Sequence, residues 1–164
     1  MVTSVDETRL PGESGALLVE RLARAKAQAV RDHAGLPVLA ADTTVVCAER
    51  VLEKPESPDD ARAMLRLLSG REHEVITGVC VARAGVLASD IEVTRVLFAP
   101  MDDAQIDWYV ATGEPMGKAG AYHIGGKGAL FVSGSFGSPS NVAGLPVRLA
   151  RRLLQQAGLE LSAS

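Results

Sequence analysis

Asp42 lies in LPVLAADTTVVCA (residues 36–48), an apolar and β-branched run broken only by Asp42, Thr43 and Thr44. A carboxylate there is costly to bury unless it meets a cation, a metal ion or hydrogen-bond donors. It can accept hydrogen bonds from nearby backbone and threonine hydroxyls, or it can be an acid tuned for proton transfer or metal ligation. Asp6 and Glu7 form a second acidic pair in the polar segment TSVDETR, which alone reads as a solvated loop or a cap. Lys26 in RLARAK, Lys54 in EKP and Lys118 in GKAG each read singly as surface lysines. Only convergence of these groups on one site would give them a shared chemistry.

Several familiar sites are excluded by spacing. GGKG (125–128) continues into Ala129, so no GxxxxGK[ST] phosphate cradle forms, and no GxGxxG fingerprint occurs. His73-Glu74 has Thr77 where a second zinc histidine would stand, and the serines near Gly134 make no GxSxG elbow. Cys47 and Cys80 belong to no CxxC pair and are expected as small buried hydrophobes in strands.

The elements that must position the candidates follow from periodicity. Residues 13–34 place Leu17, Leu18, Leu22, Ala25 and Ala29 at helical spacing, with Gly35 as the stop, and residues 36–48 read as a buried strand. Residues 58–68 begin with Asp59 and Asp60 and carry Ala61, Met64, Leu65 and Leu68 on one face, a second helix. EVITGVCVARAG and VLASDIEVTRVLFAP alternate around a glycine turn and predict paired strands, with Val93, Val96 and Phe98 supplying apolar side chains. Residues 102–111 predict a helix on Ile106, Tyr109 and Val110. Residues 145–158 predict a last one, capped by Asn141 or begun near Pro146. The glycine-rich stretch between them allows close backbone approach to a ligand, or simple hairpin turns. The alternation predicts a single α/β domain with a mixed sheet flanked by helices.

The chain has 164 residues and a net charge of −3, so it carries no general attraction for a nucleic-acid duplex or an anionic membrane. No apolar run approaches the ~18 residues of a membrane span and no secretion signal follows Met1, which makes the cytoplasm the expected compartment.

Read in order, VDET (5–8), RLARAKA (21–27), AADTTVV (40–46), EKP (53–55), LSGREHEVITGV (68–79), GEPMGKAGAYHIGG (113–126) and NVAGLPV (141–147) resemble the Maf nucleotide pyrophosphatases over nearly the whole chain. The resemblance implies a mixed twisted sheet with flanking helices, as in inosine triphosphate pyrophosphatases, and hydrolysis of a nucleoside triphosphate to a monophosphate and pyrophosphate. It implies Asp42 as proton acceptor, Glu7 and Asp42 as ligands of a divalent metal (Mg²⁺ or Mn²⁺), and Lys26, Thr43, Lys54 and Lys118 as substrate-binding residues, Thr43 being linked to base selection. Those residue types suit attack on phosphorus among anionic oxygens, where cations neutralise the phosphates and carboxylates orient water. It further implies a nucleoside triphosphate as partner and a homodimer.

The sequence departs from the family at three places. Family members begin with a strand and an SxSPRR-type loop supplying a phosphate-binding Ser and Arg. The resemblance therefore implies that residues 1–164, one Maf-like domain, are incomplete at the N-terminus. Where the family has DKAGAYGIQG, Gly117 stands for the acid and Gly125 for a Gln associated with base recognition. ADT at 41–43 resembles the subgroup acting on dTTP and UTP. The alternative is a nucleotide-binding or regulatory homologue that has lost turnover.

Overall fold

The computed structural model describes residues 5–30 and 36–160. Helix α1 (Gly15–Ala29) leads into β1 (Val38–Cys47) and β2 (Arg50–Leu52), then α2 (Pro58–Leu68), β3 (Glu72–Arg83), β4 (Val86–Phe98) and α3 (Asp103–Ala111). Two 3₁₀ turns, Ala119–Ala121 and Lys127–Phe131, precede β5 (Val132–Phe136), α4 (Pro139–Val142) and α5 (Val147–Gln156). The five strands form one sheet in the order β2-β1-β3-β4-β5, and every pairing described is antiparallel. The α/β class with helices flanking a sheet is the one expected.

Strand alternation sorts the two faces. Ile76, Gly78, Cys80 and Ala82 of β3 turn toward α1, whose Ala23 and Ala27 complete a small-residue cluster with Cys80 and Ala82. Gly78 is required here: a Cβ would collide with the Val19 backbone of α1. That close approach explains why α1 buries Gly15, Leu18, Val19, Leu22, Ala23 and Ala27 rather than the expected face. Leu17 is 61% exposed and Ala29 is also exposed. The expected extension of this helix to residue 34, with its Gly35 stop, falls on residues 31–35, outside those described.

The opposite face carries two clusters. Val45, Cys47, Val75, Val96 and Phe98 pack against Leu65 and Leu68 of α2 and Ile106 and Tyr109 of α3. Val79 and Val81 pack against Leu149, Ala150 and Leu153 of α5. Thr77 falls between Val75 and Val79 on this face, so a polar seam divides the two. Val96 and Phe98 are buried as expected, but Val93 is 41% exposed, because alternation sends it to the other side from Val96. Cys47 and Cys80 are buried in β1 and β3, as expected.

Asn141 does not cap the last helix. It lies in α4, fully buried, while Pro146 precedes α5 without a side-chain cap. Its amide nitrogen donates to the Val75 and Glu92 carbonyls and to Thr94 Oγ1 at 3.0, 3.3 and 3.0 Å. Buried amides of this kind are retained where their donors are satisfied, and here the bonds pin α4 across the seam.

Candidate active site

Among the described strands, β2 covers only Val45–Cys47 of β1, so Val38–Thr44 has a strand neighbour on its β3 side alone. Asp42 and Thr43 sit on this half-open stretch, pointing to opposite faces. Asp42 turns toward α1, where Lys26 in the last turn donates to its Oδ1 at 2.6 Å. The same ammonium lies 2.7 Å from Glu7 Oε1, and Lys54 Nζ lies 3.3 Å from Glu7 Oε2. Four of the expected residues therefore form one chain of charge, Asp42–Lys26–Glu7–Lys54. The cation that a buried Asp42 demanded is Lys26.

Burial raises the Asp42 carboxyl above its ordinary range, with Lys26 opposing but not cancelling the effect. Glu7 is more exposed, and its hydrogen bond from Lys26 holds it below the usual range. Burial works against the Lys26 ammonium, but the two carboxylates outweigh it and leave its affinity for the proton raised. The two acids thus differ in character: Asp42 is the stronger base and Glu7 the more firmly ionised.

Thr43 turns to the other face, where its hydroxyl lies 2.9 Å from that of Thr77. Thr77 Oγ1 also lies 3.4 Å from the Asn141 carbonyl, so the two hydroxyls and that carbonyl form one short network in which the Thr43 oxygen keeps acceptor capacity. Two cavities meet at these residues. The larger, about 250 Å³, is lined by Asp42, Thr43, Lys54 and Lys118 together with Val45, Val75, Tyr122, His123 and Val142–Gly144. The smaller, about 150 Å³, contains Glu7, Leu18, Leu22 and Glu53 and shares Asp42, Thr43, Lys54 and Ala119 with the first. Lys118 is exposed on the cavity wall and Lys54 is 59% exposed, so both reach the site from its solvent side.

The glycine-rich wall is held by a carboxylate to which the sequence alone gives no role. Glu114 accepts from Tyr109 Oη at 2.8 Å and from the backbone nitrogens of Lys127 and Gly128, each at 3.0 Å. A side chain at Gly126 would strike this carboxylate, which accounts for the glycine. Gly117 adopts φ +74°, and a Cβ placed there would meet nothing within 4 Å. The backbone thus favours glycine where the family has an acid, and that part of the wall is open. Glu13 and Arg21 are further residues that no sequence signal singles out. Arg21 binds Glu13 at 2.6 Å and draws its carboxyl down to about 2, anchoring the segment that carries Glu7 to α1. Glu114 and His123 are visible in the sequence only as letters in longer motifs, and Asn141 only as a candidate cap, because their partners are distant along the chain.

Among the described residues no group of three or more His, Cys, Asp or Glu side chains gathers as a metal cage. The donor set at Glu7 and Asp42 nevertheless fits a magnesium-type ion, which is ordinarily held by one or two carboxylates, its own waters and substrate phosphates. Among the same residues no helix is long and apolar enough to cross a membrane.

A protein named dTTP/UTP pyrophosphatase from Anaeromyxobacter dehalogenans (strain 2CP-C) is 53% identical over 160 residues, covering 95% of this chain and 81% of the relative. Proteins of the same name from Chromobacterium violaceum and Myxococcus xanthus are 47% and 48% identical, each over 96% of this chain and over 82% and 80% of their own. The profile described as Maf-like protein matches residues 1–157. With a profile spanning nearly every residue and relatives at half identity, the chain belongs to the Maf family.

Proposed function

We propose that this protein is a nucleoside triphosphate pyrophosphatase, hydrolysing a nucleoside triphosphate to the monophosphate and pyrophosphate, with dTTP and UTP as its substrates. The observation that carries the reading is the convergence of Asp42, Glu7, Lys26 and Lys54 where two cavities meet. The activity for which the relatives are named supports the choice of substrate.

In this reading the triphosphate lies against Lys54 and Lys118, whose charges neutralise phosphate oxygens and the departing pyrophosphate. Asp42, its carboxyl raised by burial, takes the proton of the attacking water. The new bond joins the water oxygen to the α phosphorus, and the bond from that phosphorus to the α,β-bridging oxygen breaks with its electron pair leaving on pyrophosphate. Lys26 keeps Asp42 and Glu7 in place. A divalent cation held by Glu7 and Asp42 would add positive charge against the phosphates. Thr43 offers its acceptor oxygen to the nucleoside.

Product analysis tests the reading. Incubation with UTP or dTTP and Mg²⁺ should release pyrophosphate and the nucleoside monophosphate. Release of orthophosphate and the diphosphate would overturn the assignment of the bond broken, and binding without turnover would replace the reading with that of a nucleotide-binding or regulatory homologue.

A further inference from the structure

We infer that the cavity between β4, the β5–α4 turn and the start of α5 is a second ligand site. Its ligand is a small phosphate ester carrying neighbouring hydroxyls, the chemistry that a sugar phosphate and a nucleoside monophosphate share. The cavity measures about 720 Å³, within the ~300–1,000 Å³ of ordinary ligand pockets. Glu92, Ser138, Arg148, Leu149 and Arg152 line it, and none of its lining residues lines either cavity at Asp42. Helix α4 separates the two regions, with Pro139 at its start on the outer cavity and Val142 at its end on the active site. The inference does not depend on the reaction proposed above.

The backbone around this cavity is tied down. Gly137 adopts φ +138°, and a Cβ there would stand 2.8 Å from Thr94 Oγ1, so glycine lets the turn lie close against β4. Beside it, Ser138 donates its N–H to Thr94 Oγ1 at 3.1 Å, and its carbonyl accepts from the same hydroxyl at 3.2 Å. The Ser138 hydroxyl lies 3.0 Å from that of Ser140, which in turn accepts from the Val147 N–H at 3.1 Å. That relay joins the turn to the first residue of α5, while Leu149 packs with Val79 and Val81 of β3. Arg148 therefore projects from an anchored stem.

Two opposite charges on this frame are left unengaged. Arg148 and Arg152 are one turn apart on α5 and so share a face. Asp90 binds Arg152 Nη2 at 2.5 Å, whereas the Arg148 guanidinium makes no ion pair or hydrogen bond among the described residues. Strand alternation puts Glu92 on the same face of β4 as Asp90. Its backbone carbonyl accepts from Asn141, but among the described residues its carboxylate also has no ion pair or hydrogen bond. Charges that line one cavity without meeting offer a ligand a donor fork and an acceptor pair. A guanidinium fork matches the oxygens of a phosphate, and a half-buried carboxylate accepts from adjacent hydroxyls. Glu92 repels a bare phosphate, so the pair favours the hydroxyl-bearing ester over the free anion.

The test is calorimetric titration of ribose 5-phosphate and of inorganic phosphate into the wild type, Arg148→Gln, Glu92→Gln and Lys54→Gln, the last to reveal binding at the active site. Ribose 5-phosphate should bind the wild type saturably and more tightly than inorganic phosphate. Its affinity should fall about tenfold or more in Arg148→Gln, the scale of a lost hydrogen bond to a charged group, and persist in Lys54→Gln. Glu92→Gln should narrow the preference for the ester. No saturable binding to the wild type, affinity within about twofold of wild type in Arg148→Gln, or a loss in Lys54→Gln alone would overturn the inference. If melting curves show Arg148→Gln to be unfolded, Glu92→Gln decides, and an ester preference that it leaves unchanged counts against the site. UMP titrated into Lys54→Gln separates the two sources: tighter binding than ribose 5-phosphate assigns a nucleotide, and equal or weaker binding a sugar phosphate.

Discussion

Replacing Lys26 by Met keeps most of the side chain's bulk and removes the ammonium that joins Asp42 to Glu7. Exposed ion pairs are worth roughly 0–1 kcal/mol, whereas breaking a fully buried pair costs about 3–5 kcal/mol, because one charge is left uncompensated. The side chains of Lys26 and Asp42 are only 19% and 14% exposed, but that of Glu7 is 43% exposed, which places this site between the limits. A loss of about 2–3 kcal/mol is expected, or roughly 5–10 °C in Tm for a chain of this length. Asp42→Asn added to Lys26→Met should recover most of it, since the orphaned charge disappears. The sign of the pH dependence follows. Without the ammonium, burial and the Glu7 charge raise the Asp42 carboxyl further in the folded state against the smaller opposing pull of Lys54, and the ionised form is the destabilising one. The variant's deficit should therefore be full above the folded carboxyl's range and shrink as pH falls through it. Urea denaturation of the wild type, the single variants and the double variant across pH reads these quantities. Lys26→Met melting within about 1 °C of wild type, or failure of Asp42→Asn to rescue it, would refute the reasoning.

Two further outcomes follow. Burial holds His73 down to about 4 from 6.5, so the folded protein refuses a proton that the unfolded chain accepts, and stability should fall by on the order of 3 kcal/mol as pH drops from 6.5 to 4. His73→Phe should flatten that part of the pH profile in urea melts, and an unchanged slope would show that other groups carry it. Asn141→Ala removes the amide donor shared by the Val75 and Glu92 carbonyls and Thr94 Oγ1, the last keeping its bond from Ser138 N, so a loss of about 2–3 kcal/mol is expected. The α4 wall of the cleft should loosen with it, raising KM for UTP more than it lowers kcat. Equal effects on both would mean that α4 does not shape the binding site.

The sequence disclosed those features whose signal is local. The helix over 58–68 and the strand pair around Gly85 stand where periodicity and turn chemistry put them. The buried aspartate in a β-branched run foretold a partner, and ordered motifs brought Glu7, Lys26 and Lys54 into the same search. The buried face of α1 differs from the expected one because Leu17 and Leu18 are equivalent by composition, and only Gly78, some sixty positions on, selects the face that fits. Asn141 resembles a cap because Ser, Asn and Asp before a helix usually are caps. Its actual partners, Val75, Glu92 and Thr94, lie far away in the chain and exist only once the sheet has formed. Glu114 and His123 share that limitation, since a residue positioned by a folded glycine-rich loop has no periodicity of its own.

The most direct test of the proposed chemistry removes the charge of Asp42 while keeping its shape. Asp42→Asn should leave the protein folded, as judged by a cooperative melt, and reduce pyrophosphate release from UTP and dTTP by about a hundredfold or more, the usual scale for a general base. Turnover within a few-fold of wild type in that folded variant would contradict it, because the cluster built around Asp42, Lys26 and Glu7 would then not be where the α,β bond is broken.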